Sequence, residues 1–421
     1  MKAYPAYKSS GVEWLEEIPE NWEFRPIKRI FSEVDIKKGD APYPLLSFSR
    51  EKGLIIPPID KKGVPDDLSC YKVLKKGQLL ENRMQAWSGM FICADKDGCV
   101  SPDYSVFEAI DINTTSVKFY EYVFRNHIWV SLFANASKGI GTGFNRLYTP
   151  QFGAIKTIFP PYEEQNVIVA YLDKKCAEIE ELISRRQSII DRLRELKQSI
   201  IAEAVTKGLN PDVSMKDSGI AWLGVIPEHW EIRKLKYTFS ERTEKNHPDE
   251  PILCATQSHG VIPQSLYKNR VVVVNKGFEG LKFVKCGDFV ISLRSFEGGI
   301  EYAYYQGIIS AAYTVLTPNI EEQAYFMKWL FKSKPFIQLL QTCVTGIREG
   351  QNINYQALSR KFIVLPPLKE QQFIVAYLDK KCTEIDELIA RQEQIIEKLK
   401  ELKTSTIAHV VTGKVDVRDA I

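Results

Sequence analysis

Long hydrophobic runs are missing from this chain. No apolar stretch approaches the ~20 residues that a membrane-spanning helix needs, and the first residues, MKAYPAYKSSG, lack the apolar core of a secretory signal peptide. Charge of one sign is not in excess, since the net charge is +3, which neither requires nor excludes nucleic acid as a partner. The sequence therefore predicts a globular, cytoplasmic protein. At 421 residues it also predicts more than one domain.

The motifs of common catalytic sites are absent as well. The chain has no GxxxxGK(S/T) phosphate-binding loop, no HExxH, no GxSxG and no protein-kinase signature. Its one glycine-rich stretch, residues 139–143, follows a predicted helix rather than a strand, which is the wrong context for a nucleotide loop. Pro160-Pro161-Tyr162 lacks the preceding Asn of an amino-methyltransferase motif. We therefore predict no catalytic residue and no cofactor.

Metal-ligand spacing is missing too. None of the eight cysteines belongs to a CxxC pair, and the five histidines are scattered. This pattern favours reduced thiols in a cytosolic protein, and a zinc site is the weaker alternative. We predict no bound metal.

What the chain does contain is a repeat. Residues 168–176 and 374–382 both read IVAYLDKKC, 206 positions apart. A second pair of segments, 7–33 and 215–241, shares two tryptophans with Ile-Pro between them. Each could be a short extended clamp on a domain surface, but a purely structural packing role is preferred, because large aromatic side chains dominate burial. Since a repeat of this kind decides the fold, the chain is read as two similar halves.

Each half is predicted to hold one α+β domain of about 150 residues. Short apolar segments broken by Gly, Pro and Asp read as strands joined by turns. These segments are residues 45–57, 75–90 and 99–109 in the first half, and 252–263, 285–300 and 308–318 in the second. Residues 116–133 and 321–340 have the apolar spacing of helices.

Glycine and proline are absent from two long stretches, residues 162–207 and 368–412. Pro161 and Pro367 suit the first turn of a helix, and Gly208 and Gly413 suit its end. At ~1.5 Å per residue, each helix would be roughly 65–70 Å long. No single domain of this size would cover such a helix. The two helices are therefore predicted to pair with each other, antiparallel, although packing of each helix on its own domain is the alternative.

A heptad pattern predicts which residues form the seam between these helices. In the first helix the seam is assigned to Leu172, Lys175, Ile179, Leu182, Arg186, Ile189, Leu193, Leu196 and Ile200. In the second it is assigned to Leu378, Lys381, Ile385, Leu388, Gln392, Ile395, Leu399, Leu402 and Thr406. Ile183, Ile190, Ile389 and Ile396 widen the apolar stripe.

The predicted fold class is therefore α+β, with two globular domains in tandem and in a pseudo-two-fold arrangement, separated by two long antiparallel coiled-coil helices. The predicted boundaries are residues 1–158 and 209–364 for the globular domains, 159–208 and 365–413 for the helices, and 414–421 for a C-terminal tail. A protein with two separated heads suits a ligand with two separated sites.

The repeated motifs resemble those of a known family. SGVEWLEEIPENWE and SGIAWLGVIPEHWE, with PPYEEQNVIVAYLDKKC and PPLKEQQFIVAYLDKKC and the heptad helices after them, resemble the specificity (S) subunit of type I restriction–modification systems. The resemblance covers essentially the whole chain. It implies that each globular domain is a target-recognition domain reading one half of a bipartite site in double-stranded DNA. It also implies that the helices set the spacing and dock two methyltransferase (M) subunits, through which restriction (R) subunits join. The S subunit itself would not be a catalyst.

Candidate DNA contacts lie in loops at equivalent places in both halves. Arg can bind guanine and Asn or Gln can bind adenine through paired hydrogen bonds, whereas Lys and small polar groups bind phosphates. The candidates in the first half are Arg50, Lys52, Asn82, Arg83, Gln85, Lys138, Thr142, Asn145 and Arg146. In the second half they are Gln257, His259, Arg294, Ser295, Arg348, Gln351 and Asn352. An ordinary solvated loop is the alternative for any single residue.

The repeated IVAYLDKKC is predicted to serve assembly rather than DNA choice. Both copies would present one face to identical partner subunits, so Tyr171, Asp173, Tyr377 and Asp379 are the candidate docking residues. Two other functions compete with this interpretation. A coiled-coil scaffold with protein-binding heads would show no salt-dependent DNA affinity, whereas phosphate contacts predict a steep dependence. A nuclease or methyltransferase would be active alone with metal or S-adenosylmethionine, but its motifs are missing.

Overall fold

The computed structural model describes residues 2–58, 65, 67–139, 145–267, 277–346 and 352–420. The chain forms two compact units. Unit 1 consists of Met1–Arg186 and Gln394–Ile421, and unit 2 of Gln187–Glu393. Two long helices, α4 (Tyr162–Lys207) and α9 (Leu368–Val411), each contribute to both units. The two predicted long helices are therefore confirmed.

Unit 1 is built on a four-stranded antiparallel sheet of order β4-β11-β8-β9, with smaller two-stranded pairs around it. Its strands are β1 (Tyr7–Val12), β2 (Leu15–Pro19), β3 (Glu23–Pro26), β4 (Phe31–Val34), β5 (Ser47–Ser49), β6 (Gly53–Ile55), β7 (Lys72–Leu74), β8 (Leu79–Asn82), β9 (Phe91–Cys93), β10 (Gly98–Val100), β11 (Tyr104–Ala109) and β12 (Lys156–Phe159). Its short helices are α1 (Val117–Arg125), α2 (His127–Ala136) and α3 (Thr149–Ala154).

Unit 2 repeats this plan with a sheet of order β16-β23-β20-β21. Its strands are β13 (Met215–Asp217), β14 (Val225–Pro227), β15 (Glu231–Lys234), β16 (Phe239–Arg242), β17 (Leu253–Thr256), β18 (Gly260–Pro263), β19 (Lys282–Val284), β20 (Phe289–Ile291), β21 (Glu301–Tyr302), β22 (Gly307–Ile309), β23 (Thr314–Pro318), β24 (Val344–Thr345), β25 (Asn352–Ile353) and β26 (Phe362–Leu365). Its short helices are α5 (Ser295–Gly298), α6 (Gln323–Lys332), α7 (Lys334–Gln341) and α8 (Tyr355–Ser359).

Each stretch with helical apolar spacing before a long helix is two helices rather than one. In unit 1 the break is at Asn126, whose side chain accepts a hydrogen bond from the backbone N–H of Ile128 and so caps α2. In unit 2 it is at Ser333, where Pro335 follows in the first turn of α7. Apolar periodicity continues across both breaks, so the pattern alone does not reveal the caps.

The apolar core of each unit includes the start of one long helix and the end of the other. In unit 1, Leu172 of α4 and Val410 of α9 are buried with the sheet and with Trp22. In unit 2, Leu378 of α9 and Val205 of α4 are buried with Trp230. Trp22 and Trp230 belong to the repeated N-terminal segments, and their burial in the core agrees with the structural packing expected of these tryptophans. The ends of each long helix therefore pack on a domain, which was the alternative, and the parts between the ends pair with the other long helix, as predicted.

Ion pairs between α4 and α9 establish their antiparallel direction. In unit 2, Lys197 pairs with Asp386 at 2.7 Å and Arg194 pairs with Glu393 at 3.2 Å. Residue numbers rise along α4 as those of their partners fall along α9, so the two helices run in opposite directions. In unit 1 the corresponding pair is Glu180 with Lys403. The predicted antiparallel pairing is confirmed.

The predicted heptad seam is only half right. Leu172 and Ile179, in the first assigned row, are buried. The second buried row lies one residue later in the sequence than the assigned row through Ile189, and it contains Ile190. Ile190 and Ile396 are 1% and 7% exposed, whereas Leu182, Ile189 and Leu196 are 41%, 38% and 50% exposed, and Leu388 and Leu402 behave in the same way. Each helix carries three apolar rows, which on α4 run through Ile179, through Ile189 and through Ile190. Either of the last two rows, which are adjacent, would form a heptad pattern with the first row. Burial of Leu172 and Cys176 at the start of α4 selects the rotation that turns Ile190 inward.

Both long helices end at glycines in the left-handed region, Gly208 (φ 77°) and Gly413 (φ 73°), as the sequence predicts. All eight cysteines are free thiols. Among the helices of the described residues, none has both the length and the apolar character needed to span a membrane.

Candidate nucleic-acid interface

In unit 1 the first two groups of candidate residues lie side by side. Arg50, in the turn between β5 and β6, donates from Nη2 to the carbonyl of Ser88 in the loop after β8. In that loop the Nδ2 of Asn82 donates to the Oε1 of Gln85 at 3.3 Å. Lys52 and Gln85 are exposed. The hairpin turn and the loop therefore form one polar surface.

The third group joins the same surface. The backbone N–H of Leu147 donates to the carbonyl of Arg83 at 3.2 Å, which places the segment from 145 to 147 beside the loop after β8. Lys138 and Arg146 exchange backbone hydrogen bonds of 2.9 and 2.8 Å, and the Nη2 of Arg146 pairs with Asp103 at 3.2 Å. Asn145 is exposed. Thr142 lies outside the described residues.

Arg83 is held in a fixed orientation. Its Nε donates to the Oγ of Ser105 at 2.6 Å, and its Nη2 donates to the Oε1 of Glu33 at 2.7 Å. The Oε2 of Glu33 accepts from the Oγ1 of Thr149 at 2.6 Å. Burial opposes ionisation of Glu33, but the hydrogen bond from Thr149 and the charge of Arg83 outweigh it and hold the pKa of this carboxyl below its usual value. Sequence reasoning found Arg83 but missed Glu33, which is 50 residues away in the chain.

A buried carboxyl, Glu81, lies two residues before Arg83 in β8. Both of its oxygens are buried without a hydrogen-bond partner among the described residues. Burial raises its pKa to about 8, although the nearby Arg83 opposes the shift. Glu81 is therefore protonated at neutral pH. Its signal in the sequence is a lone Glu within the apolar strand LLEN.

Unit 2 brings its first two groups together in the same way. The Nζ of Lys332 donates to the carbonyls of Gln257, in the turn between β17 and β18, and Gly298, at the end of α5, at 3.4 and 2.9 Å. His259 is exposed in that turn. Arg294 is exposed directly before α5 and makes no ion pair with the described residues.

The other candidates of unit 2 are less accessible. Ser295 is buried, and its Oγ accepts from the backbone N–H of Ser292 at 2.8 Å, so its hydroxyl serves the local fold. Asn352 is half-buried in β25, which packs beside α5. Arg348 and Gln351 lie outside the described residues.

The candidate docking acids contact the globular domains of their own units. The Oδ1 of Asp173 accepts from the hydroxyl of Tyr122 in α1 at 2.5 Å, and the Oδ1 of Asp379 accepts from the Nε1 of Trp329 in α6 at 3.2 Å. Each acid thereby fixes a long helix to a short one. The tyrosines differ, because Tyr171 is 6% exposed in the core of unit 1 and Tyr377 is 37% exposed.

A second exposed surface runs along the long helices. Leu182, Ile189 and Leu196 of α4 recur every seven residues and are exposed, and Leu388 and Leu402 of α9 occupy the equivalent positions. Residues at this spacing lie on one side of a helix and are suited to pack against another helix. Sequence reasoning found these residues but placed them in the wrong interface.

Comparisons with known proteins agree with the motifs in the sequence. Residues 227–401 match the family model described as "Type I restriction modification DNA specificity domain". The chain is 20% identical over 336 residues to the type I restriction enzyme EcoKI specificity subunit of Escherichia coli K12, covering 75% of this chain and 68% of that protein. It is 26% identical over 307 residues to the MjaVIII specificity subunit of Methanocaldococcus jannaschii, covering 66% of each.

Solved structures share the fold. A chain from a study of complex assembly and conformational transition in a type I restriction–modification system aligns with a TM-score of 0.69 and 16% identity, covering 94% of this chain and 99% of that one. The HsdS subunit of Thermoanaerobacter tengcongensis aligns with a TM-score of 0.53 and 17% identity, covering 94% and 98%. The resemblance stated from the sequence is confirmed.

Proposed function

We infer, from the similarity of this chain to type I restriction–modification specificity subunits, that it recognises DNA within such a complex and does not itself catalyse a reaction. The observation that carries this proposal is the duplication of one polar surface. In each unit a hairpin turn and the loop after the third strand of the four-stranded sheet (β8 or β20) lie together on an α+β domain. The segment from 145 to 147 joins them in unit 1, and β25 packs beside α5 in unit 2. Two such surfaces in one chain suit a bipartite site.

The chemistry of the two surfaces differs, which suits two different half-sites. In unit 1, Arg83 is braced by Ser105 and Glu33 through Nε and Nη2, which leaves the Nη1 side of the guanidinium to face a base. Such bracing fixes an arginine for paired hydrogen bonds to guanine. In unit 2, Arg294 is exposed and forms no ion pair with the described residues, and Gln257 and His259 are exposed in the turn between β17 and β18. We propose that Arg83 and Arg294 are the principal base-reading residues.

The long helices are proposed to set the distance between the half-sites. α4 and α9 both run through the two units, and equivalent ion pairs fix their register in each. The five predicted segments, 1–158, 159–208, 209–364, 365–413 and 414–421, remain our proposal for the domain boundaries.

We further propose that the exposed heptad row of Leu182, Ile189, Leu196, Leu388 and Leu402 docks helices of two methyltransferase subunits, with restriction subunits joining through these. Apolar residues at heptad spacing lose water when a third helix packs on them, which favours association. Tyr377 is accessible enough to take part in docking. Tyr171, Asp173 and Asp379 would support docking indirectly, by holding the long helices against the recognition domains.

Selection from a random duplex pool tests the proposed function. The purified chain, with its methyltransferase subunits, should enrich DNA that carries two short motifs separated by a gap of constant length and free sequence. Binding should weaken steeply with salt, because several phosphates are contacted. A single continuous motif, or no enrichment over the starting pool, contradicts the proposal.

A further inference from the structure

Unit 2 contains an aromatic cleft that the proposed duplex recognition does not use. It encloses about 680 Å³, within the range of pockets that hold small molecules. One wall is the turn between β17 and β18, a second is the segment from Ile300 to Tyr305, and the third is formed by α6 and by Lys197 of α4. The turn that carries the candidate DNA-binding residues Gln257 and His259 thus borders the cleft.

Aromatic side chains line this cleft in fixed orientations. The ring of Tyr304 packs edge-on against Tyr302, with centroids 4.9 Å apart, and the Nε1 of Trp329 is held by Asp379. Gly260, at φ 70°, makes room for the ring, since a Cβ there would lie 2.9 Å from the Cε2 of Tyr304. Tyr304 and Tyr305 are nevertheless 44% and 45% exposed. The cleft therefore offers open, oriented ring surface to a planar ligand.

One positive charge at the cleft is uncompensated. The Nζ of Lys332 pairs with the Oε1 of Glu301 at 2.6 Å, and Lys197 pairs with Asp386. Lys328 forms no ion pair with the described residues, and its Nζ lies 5.4 Å from the ring centroid of Tyr304 and 5.5 Å from that of Trp329. A ligand that combines an aromatic ring with an anion matches this arrangement.

An unused acceptor completes the site. Glu301 lines the cleft, and its Oε2 has no hydrogen-bond partner among the described residues, although it is buried. An unpaired buried acceptor is costly, so a ligand that brings an N–H group to it gains affinity. The exocyclic amino group of adenine or cytosine is such a donor.

The equivalent cleft in unit 1 lacks this chemistry. It is bounded by the turn at Arg50, by α1 and by the long helices. Backbone hydrogen bonds show that Ala94 corresponds to Ala303, because each accepts from the glycine at the preceding turn, Gly77 or Gly287. Asp95 and Lys96 therefore stand where unit 2 has Tyr304 and Tyr305. Since the fold forms without these aromatic residues, they are available for a function.

We propose that the cleft of unit 2 binds one unpaired nucleotide, with its base against the ring of Tyr304 and its phosphate at Lys328. The nucleotide comes either from a DNA strand in which it is unpaired or from free mononucleotide. The first source rests on the proposed DNA binding, and the second does not.

Fluorescence anisotropy with the full chain separates these possibilities. The probes are a labelled duplex of mixed sequence and the same duplex with one extra, unpaired adenine, and calorimetry with adenosine monophosphate tests the free nucleotide. The duplex with the unpaired adenine should bind about tenfold more tightly than the intact duplex, as stacking of one base on an aromatic side chain provides. Tyr304→Ala and Lys328→Gln should each remove this preference and leave affinity for the intact duplex within twofold.

A second lysine–tyrosine pair in unit 2 provides the control. The Nζ of Lys236 lies 4.8 Å from the ring centroid of Tyr237, which is exposed and outside the cleft. Tyr237→Ala should keep the preference for the unpaired adenine. Equal affinity for both duplexes, together with no heat from adenosine monophosphate, overturns the nucleotide site while duplex binding still stands. Heat from the mononucleotide with equal affinity for the two duplexes supports the site and assigns it to free mononucleotide, whereas the proposed function is overturned separately, by a selection that enriches no bipartite motif. Loss of methyltransferase binding in Tyr304→Ala, with no nucleotide effect, assigns the cleft to a protein partner and overturns the proposal.

Discussion

Glu180 on α4 pairs with Lys403 on α9, and the residues 206 positions from each of them, Asp386 and Lys197, form the same ion pair in the other unit. The repeat in the sequence is thus also a repeat of contacts, in which each copy supplies the acid for one pair and the lysine for the other. Both pairs are partly exposed, so each contributes at most about 1 kcal/mol. Their role is to favour one register of the helices over others.

Reversal of one charge should therefore be a small perturbation that the partner can cancel. Lys197→Glu places a carboxylate against Asp386 and should lower the free energy of unfolding by about 1 kcal/mol, because an attraction becomes a repulsion. Urea unfolding at low salt measures the change. The double variant with Asp386→Lys restores opposite charges and should recover most of the loss. Additive losses in the double variant would show that the two side chains do not interact.

The corrected seam gives a sharper test on the helices. Ile190→Ala removes a buried side chain from the seam and should cost about 2–4 kcal/mol in the free energy of unfolding. Leu196→Ala, on the exposed row, should change it by no more than about 0.5 kcal/mol. The two substitutions are six residues apart on one helix, so each controls for the other. An equal loss of unfolding free energy in the two variants would mean that Leu196 is also in the seam, as the heptad pattern predicts.

The exposed row should matter for assembly. Leu182→Asp and Leu388→Asp place a charge where a helix of the methyltransferase subunit is proposed to pack, and a buried unpaired charge opposes association. Co-purification with the methyltransferase subunit should fall at least tenfold, while the melting temperature of the isolated chain stays within about 2 °C, as for exposed positions. Undiminished co-purification of both variants would place the docking surface elsewhere.

The sequence revealed the long helices, their direction and the α+β halves because these depend on strong, local patterns. Gly208 and Gly413 mark helix ends, and the duplicated IVAYLDKKC marks where each long helix begins. The rotation of the seam depends instead on which residues the globular domains bury, and no local pattern contains that information. The environment of Arg83 likewise depends on Glu33 and Thr149, which tertiary folding brings together.

Identical sequences in the two halves also acquire different surroundings. Tyr171 and Tyr377 lie in the same nine-residue repeat, yet one is buried and the other accessible. The repeat places the candidate DNA residues in loops at equivalent positions of the two halves, and their contact with DNA stays a prediction. The surroundings of individual members have no local signal in the sequence: Ser295 is buried, and Arg83 and Arg146 are ion-paired.

Arg294 is the clearest single test of base reading. Its guanidinium is exposed and makes no ion pair with the described residues, so Arg294→Ala should leave stability unchanged. DNA affinity should fall by about 1–3 kcal/mol, the value of one paired contact to a base, and the preference in the half-site of unit 2 should relax. Arg233→Ala is the matched control, because Arg233 is paired with Glu231 on β15 of the same unit. Unchanged affinity and unchanged sequence preference in a binding assay would rule Arg294 out as a base contact.

Glu81 makes the stability of unit 1 depend on pH. Its pKa is raised from 4.5 to about 8 in the folded chain by burial, so between these values the folded state holds a proton that the unfolded state has released. The stabilisation is fully present below about pH 4.5 and is lost as the pH rises through about 8, at up to about 1.4 kcal/mol per pH unit. Glu81→Gln keeps the shape of the protonated acid without its titration. The difference in unfolding free energy between this variant and the natural chain should therefore grow in favour of the variant as the pH rises from 5 to 8. Glu108→Gln, at an exposed position on the neighbouring strand β11, is the control and should show no such trend. Parallel pH profiles for the natural chain and the Glu81 variant would mean that Glu81 is ionised in the folded protein.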